Sequence, residues 1–146
     1  MAEVYLERKE NLKKIGFKSY QDYLDSKLWK IIRGEVWRRD HGFCRGCGKK
    51  GTEIHHYRYS VKALVGAEPH HLFVVCRDCH SKIEFDENGN KLDLIDAKRK
   101  TLCIIGKLKF CRGVSNSRIG YWHRDQINMN KKTKDNIYQK LKALKQ

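Results

Sequence analysis

Two Cys-x-x-Cys pairs constrain this chain more than any other feature of its sequence. Cys44 and Cys47 form the first pair, Cys76 and Cys79 form the second, and 28 residues separate them. Each such turn can direct two thiolates at one ion, and two turns complete the tetrahedral coordination of zinc. Because four sulfur ligands leave no open position for a substrate, we expect a structural zinc. Reduced thiols without a metal and a redox role are the alternatives.

The start of the chain bears on the compartment in which these thiols exist. It is charged and lacks the apolar stretch of a signal peptide. No apolar run approaches the ~20 residues that cross a bilayer. We therefore expect a cytoplasmic protein without membrane contact. In that reducing compartment, metal binding explains the paired cysteines better than disulfides do.

Hydrophobic periodicity and turn signals predict the local structure. Apolar residues three and four apart over residues 20–40 predict a helix, interrupted at Asp25–Ser26, where an N-cap is favourable. The glycine-rich residues 41–60 are typical of a knuckle followed by a hairpin. A helix is expected from residue 79 to 85, and a small hairpin over residues 101–111.

Positive charge is concentrated in the C-terminal third. The chain has a net charge of +15, and residues 101–146 contribute eleven basic and two acidic residues. Such a segment favours a polyanion, most often nucleic acid, although a basic tail can also serve solubility. Basic and aromatic residues alternate over 107–124, which suits a loop that follows a phosphate backbone or a subdomain with its own aromatic core. A basic helix is expected over 130–145, and its apolar face can pack on the domain or form a homodimer.

The four-cysteine site uses none of the seven histidines. His55 and His56 lie between the two cysteine pairs, and His80 directly follows Cys79. Two neutral imidazoles can bind a second divalent ion with open positions, and a third can act as a base near neutral pH. This combination suits phosphate-ester hydrolysis, which needs a Lewis acid on the phosphate and an activated water.

Three segments together resemble a known family. CRGC (44–47), EIHHY (53–57) and HLFVVCRDCH (71–80) agree in order and spacing with the HNH family of ββα-metal nucleases, in the form that carries a zinc knuckle. The resemblance covers residues 36–85. Phage, mobile-element and restriction nucleases use this module, so the resemblance implies a DNA endonuclease.

The resemblance also implies the architecture. The expected fold class is α+β, with a small ββα-metal core stapled by the four-cysteine zinc site. That core would occupy residues 39–90. A helical segment would precede it at 1–38, and a basic extension for DNA binding or dimerisation would follow at 91–146.

The resemblance implies a role for each residue that matches the family pattern. His55 and His80 would bind the catalytic ion, expected to be Mg²⁺, Mn²⁺, Ni²⁺ or Zn²⁺, and His56 would be the general base. Glu84 lies four residues after His80, where some members such as the colicins have another ligand; a surface glutamate is the alternative. Cleavage would leave 5′-phosphate and 3′-hydroxyl ends, as a nick or a double-strand break.

One position departs from the family pattern. His71 stands where the family has an asparagine that supports the ββα loop and orients the base. An imidazole can donate the same kind of hydrogen bond, so we expect His71 to keep the supporting role; a metal or phosphate contact is the alternative. The neighbouring His70 is expected to face solvent without a role.

The expected partner is DNA, most simply double-stranded. The candidate phosphate contacts share positive charge and a place near the histidines or in the basic extension: Arg58, Arg77, Lys82, Lys107, Lys109, Arg112, Arg118, Arg124, Lys131, Lys132 and Lys134. A zinc-ribbon protein that binds nucleic acid without cleaving it is the alternative from a different functional class. The histidine offsets favour the enzyme, since a binding module needs none of them.

Overall fold

The structure is a computed structural model that describes the backbone of residues 2–105 and 116–144 and the side chains of residues 6–105 and 129–144. The regular elements in chain order are α1 (Ala2–Lys14), α2 (Tyr20–Leu24), α3 (Lys27–Arg39), β1 (Glu53–His56), α4 (Val61–Leu64), a 3-10 turn (Pro69–His71), β2 (Leu72–Val75), α5 (Arg77–Glu84), α6 (Leu94–Ile104) and α7 (Asn116–Leu144). β1 and β2 pair antiparallel, and α5 follows β2 directly. The fold is therefore α+β, with a small two-stranded sheet among helices.

The predicted interruption of the N-terminal helix is confirmed. α2 ends at Leu24, and α3 begins after the N-cap Ser26, whose hydroxyl accepts a hydrogen bond from the Trp29 N–H at 3.1 Å. Ser26 also donates to the Tyr23 carbonyl at 2.6 Å, which closes the turn between the two helices. The cap thus satisfies one of the N–H groups that the first turn of α3 leaves without an intrahelical partner.

β2 separates two hydrophobic clusters because successive side chains of a strand point to opposite faces. All four of its residues are buried. Leu72 and Val74 pack with the N-terminal helices, around Tyr23 and Ile32. Phe73 and Val75 pack on the other face with Cys44, Cys79, Ile83 and Ile105. The cysteine pairs therefore close one of the two cores.

The basic helix α7 packs on α3. Ile137 is fully buried in the first cluster, with Leu141 packed against that cluster. The buried Glu35 carboxylate accepts hydrogen bonds from Lys140 and, at 3.3 Å, from Asn136. At these positions the apolar face of the helix packs on its own domain, which was one of the two expectations for it.

Two expectations about the C-terminal third need correction. The hairpin predicted for residues 101–111 is wrong where the structure describes it, because residues 101–104 end the helix α6. Asp93 caps α6 by accepting a hydrogen bond from the Asp96 N–H at 2.8 Å. The loop that was one of two expectations for residues 107–124 is wrong over residues 116–124, which lie in α7. In the part of the chain that is described, no helix combines the length and apolarity needed to cross a membrane.

Candidate active site and metal centres

The four cysteines meet in one cluster, as their spacing predicts. Their sulfur atoms all lie within 4.8 Å of one another, and Cys47 Sγ is 3.6 Å from Cys76 Sγ. Zn–S bonds of about 2.3 Å in a tetrahedron require S–S separations of about 3.8 Å. Cys44 and Cys79 are buried in the second cluster. The set can therefore hold a metal ion such as zinc.

Backbone N–H groups around Cys44 and Cys47 stabilise a thiolate at Cys44. A Cβ at Gly46 would lie 3.0 Å from Cys79 Sγ and 2.5 Å from the Ile104 side chain, so only glycine fits at this close approach. The Gly46 N–H donates to Cys44 Sγ at 3.3 Å. Burial raises the pKa of Cys44, but hydrogen bonds from the backbone of Cys47, Cys76 and Gly46 outweigh it and bring this pKa to about 7.

His80, in α5, lies between two carboxylates and next to His55 of β1. Its Nδ1 donates to Glu53, and its Nε2 is 3.3 Å from Glu84 Oε1. Burial lowers the pKa of His80, but hydrogen bonds to Glu84 and Glu53 outweigh burial and raise it. The rings of His55 and His80 are 5.3 Å apart between centroids. Two imidazoles and two carboxylates thus lie close together, and both are side-chain types that can bind divalent ions.

The candidate ligands of this second site do not converge on one point as the four cysteine sulfurs do. The ligand atoms of His55, His80 and Glu84 are not all within 4.8 Å of one another. The two carboxylates occupy the opposite ring nitrogens of His80. An ion shared by the three side chains would therefore have to replace a carboxylate at His80 and draw the side chains closer.

Thr101 of α6 determines which nitrogen of His55 carries a proton. The Thr101 hydroxyl donates to the Ala97 carbonyl at 2.9 Å, which uses its only proton. His55 Nε2 lies 3.1 Å from the same hydroxyl oxygen, so the imidazole must donate through Nε2. The lone pair of the neutral ring is then on Nδ1. Nδ1 is consequently the nitrogen of His55 that can bind a metal.

His56 faces the other side of the sheet, as neighbouring residues in a strand must. Its ring stacks on Tyr59 and Trp29, with centroid distances of 4.9 and 5.1 Å, and the residue is 5% exposed. Burial, together with the charges of His55, Arg8 and His80, lowers its pKa to about 3, so the ring is neutral near pH 7. Within the described part of the chain, its Nε2 has no hydrogen-bond partner.

A cavity of about 120 Å³ joins the two sides of the site. His55, His56 and Glu84 all line it. Its lining also includes three cationic side chains, from Arg8, Lys91 and Lys98. Positive side chains around imidazoles and a carboxylate suit an anionic ligand such as a phosphate diester.

Sequence reasoning missed five of these residues. Glu53 could have been found, because it lies two residues before His55 in a strand and therefore shares its face. Thr101, Arg8, Lys91 and Lys98 gave no sequence signal. They reach the site from α1, α6 and the turn before α6, and no local pattern encodes such long-range neighbours.

Support of the loop by the His71 side chain stays a prediction, and the described contacts of His71 involve its carbonyl and its ring. Its carbonyl accepts a hydrogen bond from the Tyr57 N–H at 2.7 Å, which holds the backbone just after β1. Its ring stacks on Tyr57 and lies 4.1 Å from the His70 ring, between centroids. His71 and His70 both approach Glu68, and the three form a second group of metal-ligating side chains. His70 is therefore not an isolated solvent-facing residue.

The predicted phosphate contacts near the histidines lie at the surface. Arg58 and Lys82 are exposed, and Arg77, with an 85% exposed side chain, is 3.8 Å from Glu53. On α7, three predicted contacts are exposed: Lys131, Lys132 and Lys134. The remaining predicted contacts fall outside the described side chains: Lys107, Lys109, Arg112, Arg118 and Arg124.

No known protein family, curated protein or solved structure matches this chain. The case for its function therefore rests on the chain's own residues and their geometry.

Proposed function

We propose that the protein is a metal-dependent endonuclease of the HNH type that hydrolyses phosphodiester bonds in DNA. The observation that carries the proposal is the shared cavity, because His55, His56 and Glu84 line it together with three cationic side chains. His80, which is not one of the residues that line the cavity, lies next to His55. These residue types support the proposal, because they would supply metal ligands, a base and positive charge for a phosphate.

The ligand chemistry of the site fits a divalent ion. His55 through Nδ1, His80 and Glu84 would hold the ion, and Glu53 would orient His80 by accepting a hydrogen bond from its Nδ1–H. An ion bound there supplies a Lewis acid that polarises the scissile phosphate and stabilises the leaving 3′ oxygen. The two imidazoles favour Mn²⁺, Ni²⁺ or Zn²⁺, while the carboxylate makes Mg²⁺ acceptable.

His56 is proposed as the general base. Its Nε2 lacks a partner within the described chain, and the Trp29 and Tyr59 rings hold the imidazole in place. Nε2 would take a proton from a water molecule as the water oxygen attacks phosphorus. The bond to the 3′ oxygen breaks, leaving a 5′-phosphate and, after protonation, a 3′-hydroxyl. A neutral imidazole is the protonation state that this step requires.

Substrate binding is assigned to positive side chains. Arg8, Lys91 and Lys98 would contact the phosphate in the cavity, and the exposed lysines of α7 would contact the flanking backbone. Duplex DNA is the proposed partner, with zinc in the four-cysteine site. A homodimer would present one site to each DNA strand and would make a double-strand break, whereas a monomer would nick one strand.

A supercoiled-plasmid assay with Mg²⁺, Mn²⁺, Ni²⁺ and Zn²⁺ tests the proposal. We expect nicked or linear product with at least one ion, none with a chelator that leaves the four-cysteine zinc bound, and little with His80→Ala. His41→Asn is the matched control, because His41 is an exposed histidine outside the site and asparagine tolerates its φ of 56°. If the protein retards DNA without cutting it under every metal condition, it is the non-catalytic binder instead.

A further inference from the structure

We propose that Glu68, His70 and His71 form a binding site for a first-row transition-metal ion, distinct from the four cysteines and from the proposed active site. The Nε2 atoms of His70 and His71 are each 3.7 Å from Glu68 Oε2. One ligand atom from each of the three residues lies within 4.8 Å of the other two. Apart from the cysteines, no other described group of three or more such residues converges this closely.

The backbone that presents these ligands is held on both sides. Pro69 restricts the chain between Glu68 and His70, and the His71 N–H donates to the Glu68 carbonyl at 3.2 Å. The buried Arg39 guanidinium donates to the Pro69 carbonyl at 2.7 Å. The Tyr57 N–H in turn donates to the His71 carbonyl at 2.7 Å, so the backbone is held on both sides of the three ligands. Such preorganisation reduces the ordering cost of binding.

The separations fit a metal better than they fit direct hydrogen bonds. At 3.7 Å, both histidine–glutamate pairs are longer than a hydrogen bond. Ligand atoms about 2.05 Å from a tetrahedral ion are about 3.4 Å apart, which is close to these distances. Small rotations of the three side chains would therefore complete the coordination.

The donor set indicates the class of ion. Two imidazoles and one carboxylate favour Zn²⁺, Co²⁺, Ni²⁺ or Cu²⁺ over Mg²⁺ and Ca²⁺, which prefer all-oxygen sites. Glu68, His70 and His71 are partly exposed, with side-chain exposures of 33%, 41% and 14%, so an ion can reach them from solvent. Three protein ligands leave at least one coordination position for water or an external ligand.

Calorimetric titration with Ni²⁺ tests this site in protein whose four-cysteine site is already loaded with zinc. We expect the wild type to bind one equivalent more than His70→Asn or Glu68→Gln, or to bind that equivalent at least about tenfold more tightly. His41→Asn is the matched control, because His41 is an exposed histidine whose φ of 56° asparagine also tolerates. It should bind as the wild type does.

The outcome is separable from that of the proposed endonuclease. His80→Ala should leave the Glu68 equivalent intact, whereas His70→Asn should leave any equivalent at His80 intact. Zinc content is measured before and after, so that exchange at the cysteines is not counted. Paramagnetic Ni²⁺ should also broaden the imidazole NMR signals of His70 and His71. Equal stoichiometry and affinity in wild type, His70→Asn and Glu68→Gln would overturn the proposal.

Discussion

Replacing Thr101 with valine should weaken both the fold and the binding of the proposed catalytic ion. The change keeps the shape of the buried side chain but removes the acceptor of the His55 Nε2 proton. A net hydrogen bond contributes about 1 kcal/mol, and leaving a buried donor unpaired costs up to about 3 kcal/mol. For a chain of this size, each kcal/mol lowers Tm by about 2–4 °C. The second effect is on His55, whose free ring can then rotate away from its metal-binding orientation, with about a 10–100-fold loss in metal affinity.

Thr133→Val is the matched control for this experiment. Thr133 is also buried in a helix, and its hydroxyl donates to the Met129 carbonyl at 2.9 Å, as Thr101 does to Ala97. Both variants remove that backbone hydrogen bond, but only Thr101→Val affects His55. Denaturant unfolding gives the stability, and cleavage rate against metal concentration gives the affinity. If the two variants match in both measurements, Thr101 does not position His55.

Three further outcomes are expected. Removing zinc from the four cysteines with a strong chelator should abolish cooperative thermal unfolding, since the cysteines close a core; an unchanged Tm would contradict a structural zinc. Glu35→Gln should cost about 1.5–3 kcal/mol near neutral pH, because hydrogen bonds to a charged group are removed. Burial raises the pKa of Glu35, but hydrogen bonds from Lys140 and Asn136 outweigh burial and lower this pKa overall. The stability that the Glu35 carboxylate contributes should therefore be lost as pH falls through its folded-state pKa. At that low pH, urea unfolding should give the same free energy for the variant and the wild type. Changing the exposed Lys131, Lys132 and Lys134 to glutamine should weaken the salt dependence of DNA binding. The slope of log binding constant against log salt concentration should fall in magnitude by about 0.9 for each phosphate that the variant no longer neutralises. An unchanged slope would exclude α7 from the interface.

The structure also determines how the role of α7 can be tested. Ile137 is buried in the core and Lys140 bonds to Glu35, so deleting the helix would destabilise the domain and reduce DNA binding indirectly. Substituting exposed lysines avoids that ambiguity. The apolar face of a predicted basic helix does not by itself distinguish packing on the domain from dimer formation, and the structure shows that Ile137 and Leu141 pack on the domain.

The parts of the fold that sequence could predict are those with strong local signals. Ser26 marked the break between α2 and α3 because its side chain can cap a helix. The Cys-x-x-Cys turns predicted a four-sulfur cluster because local geometry directs each pair at one ion. Residues 101–104 were mispredicted because an apolar run followed by glycine fits the end of a helix as well as it fits a hairpin.

The site was predictable only in part, for a related reason. His55 and His56 were found as a pair, but their opposite environments follow from the strand alternation and from which helices cover each face. The hydrogen bond between Thr101 and His55 spans 46 residues, and Arg8 reaches the cavity from the first helix. The convergence of Glu68 with the neighbouring histidines depends on the turn between them, whose conformation the sequence alone does not specify.

Single-turnover cleavage of one duplex by wild type and His56→Ala tests the central claim most directly. DNA binding of both proteins is measured first, so that the duplex is saturated in each reaction. The proposed general base predicts a rate that falls by about 10²–10⁴-fold, with DNA affinity and zinc content unchanged. Equal cleavage rates for the two proteins would contradict the claim.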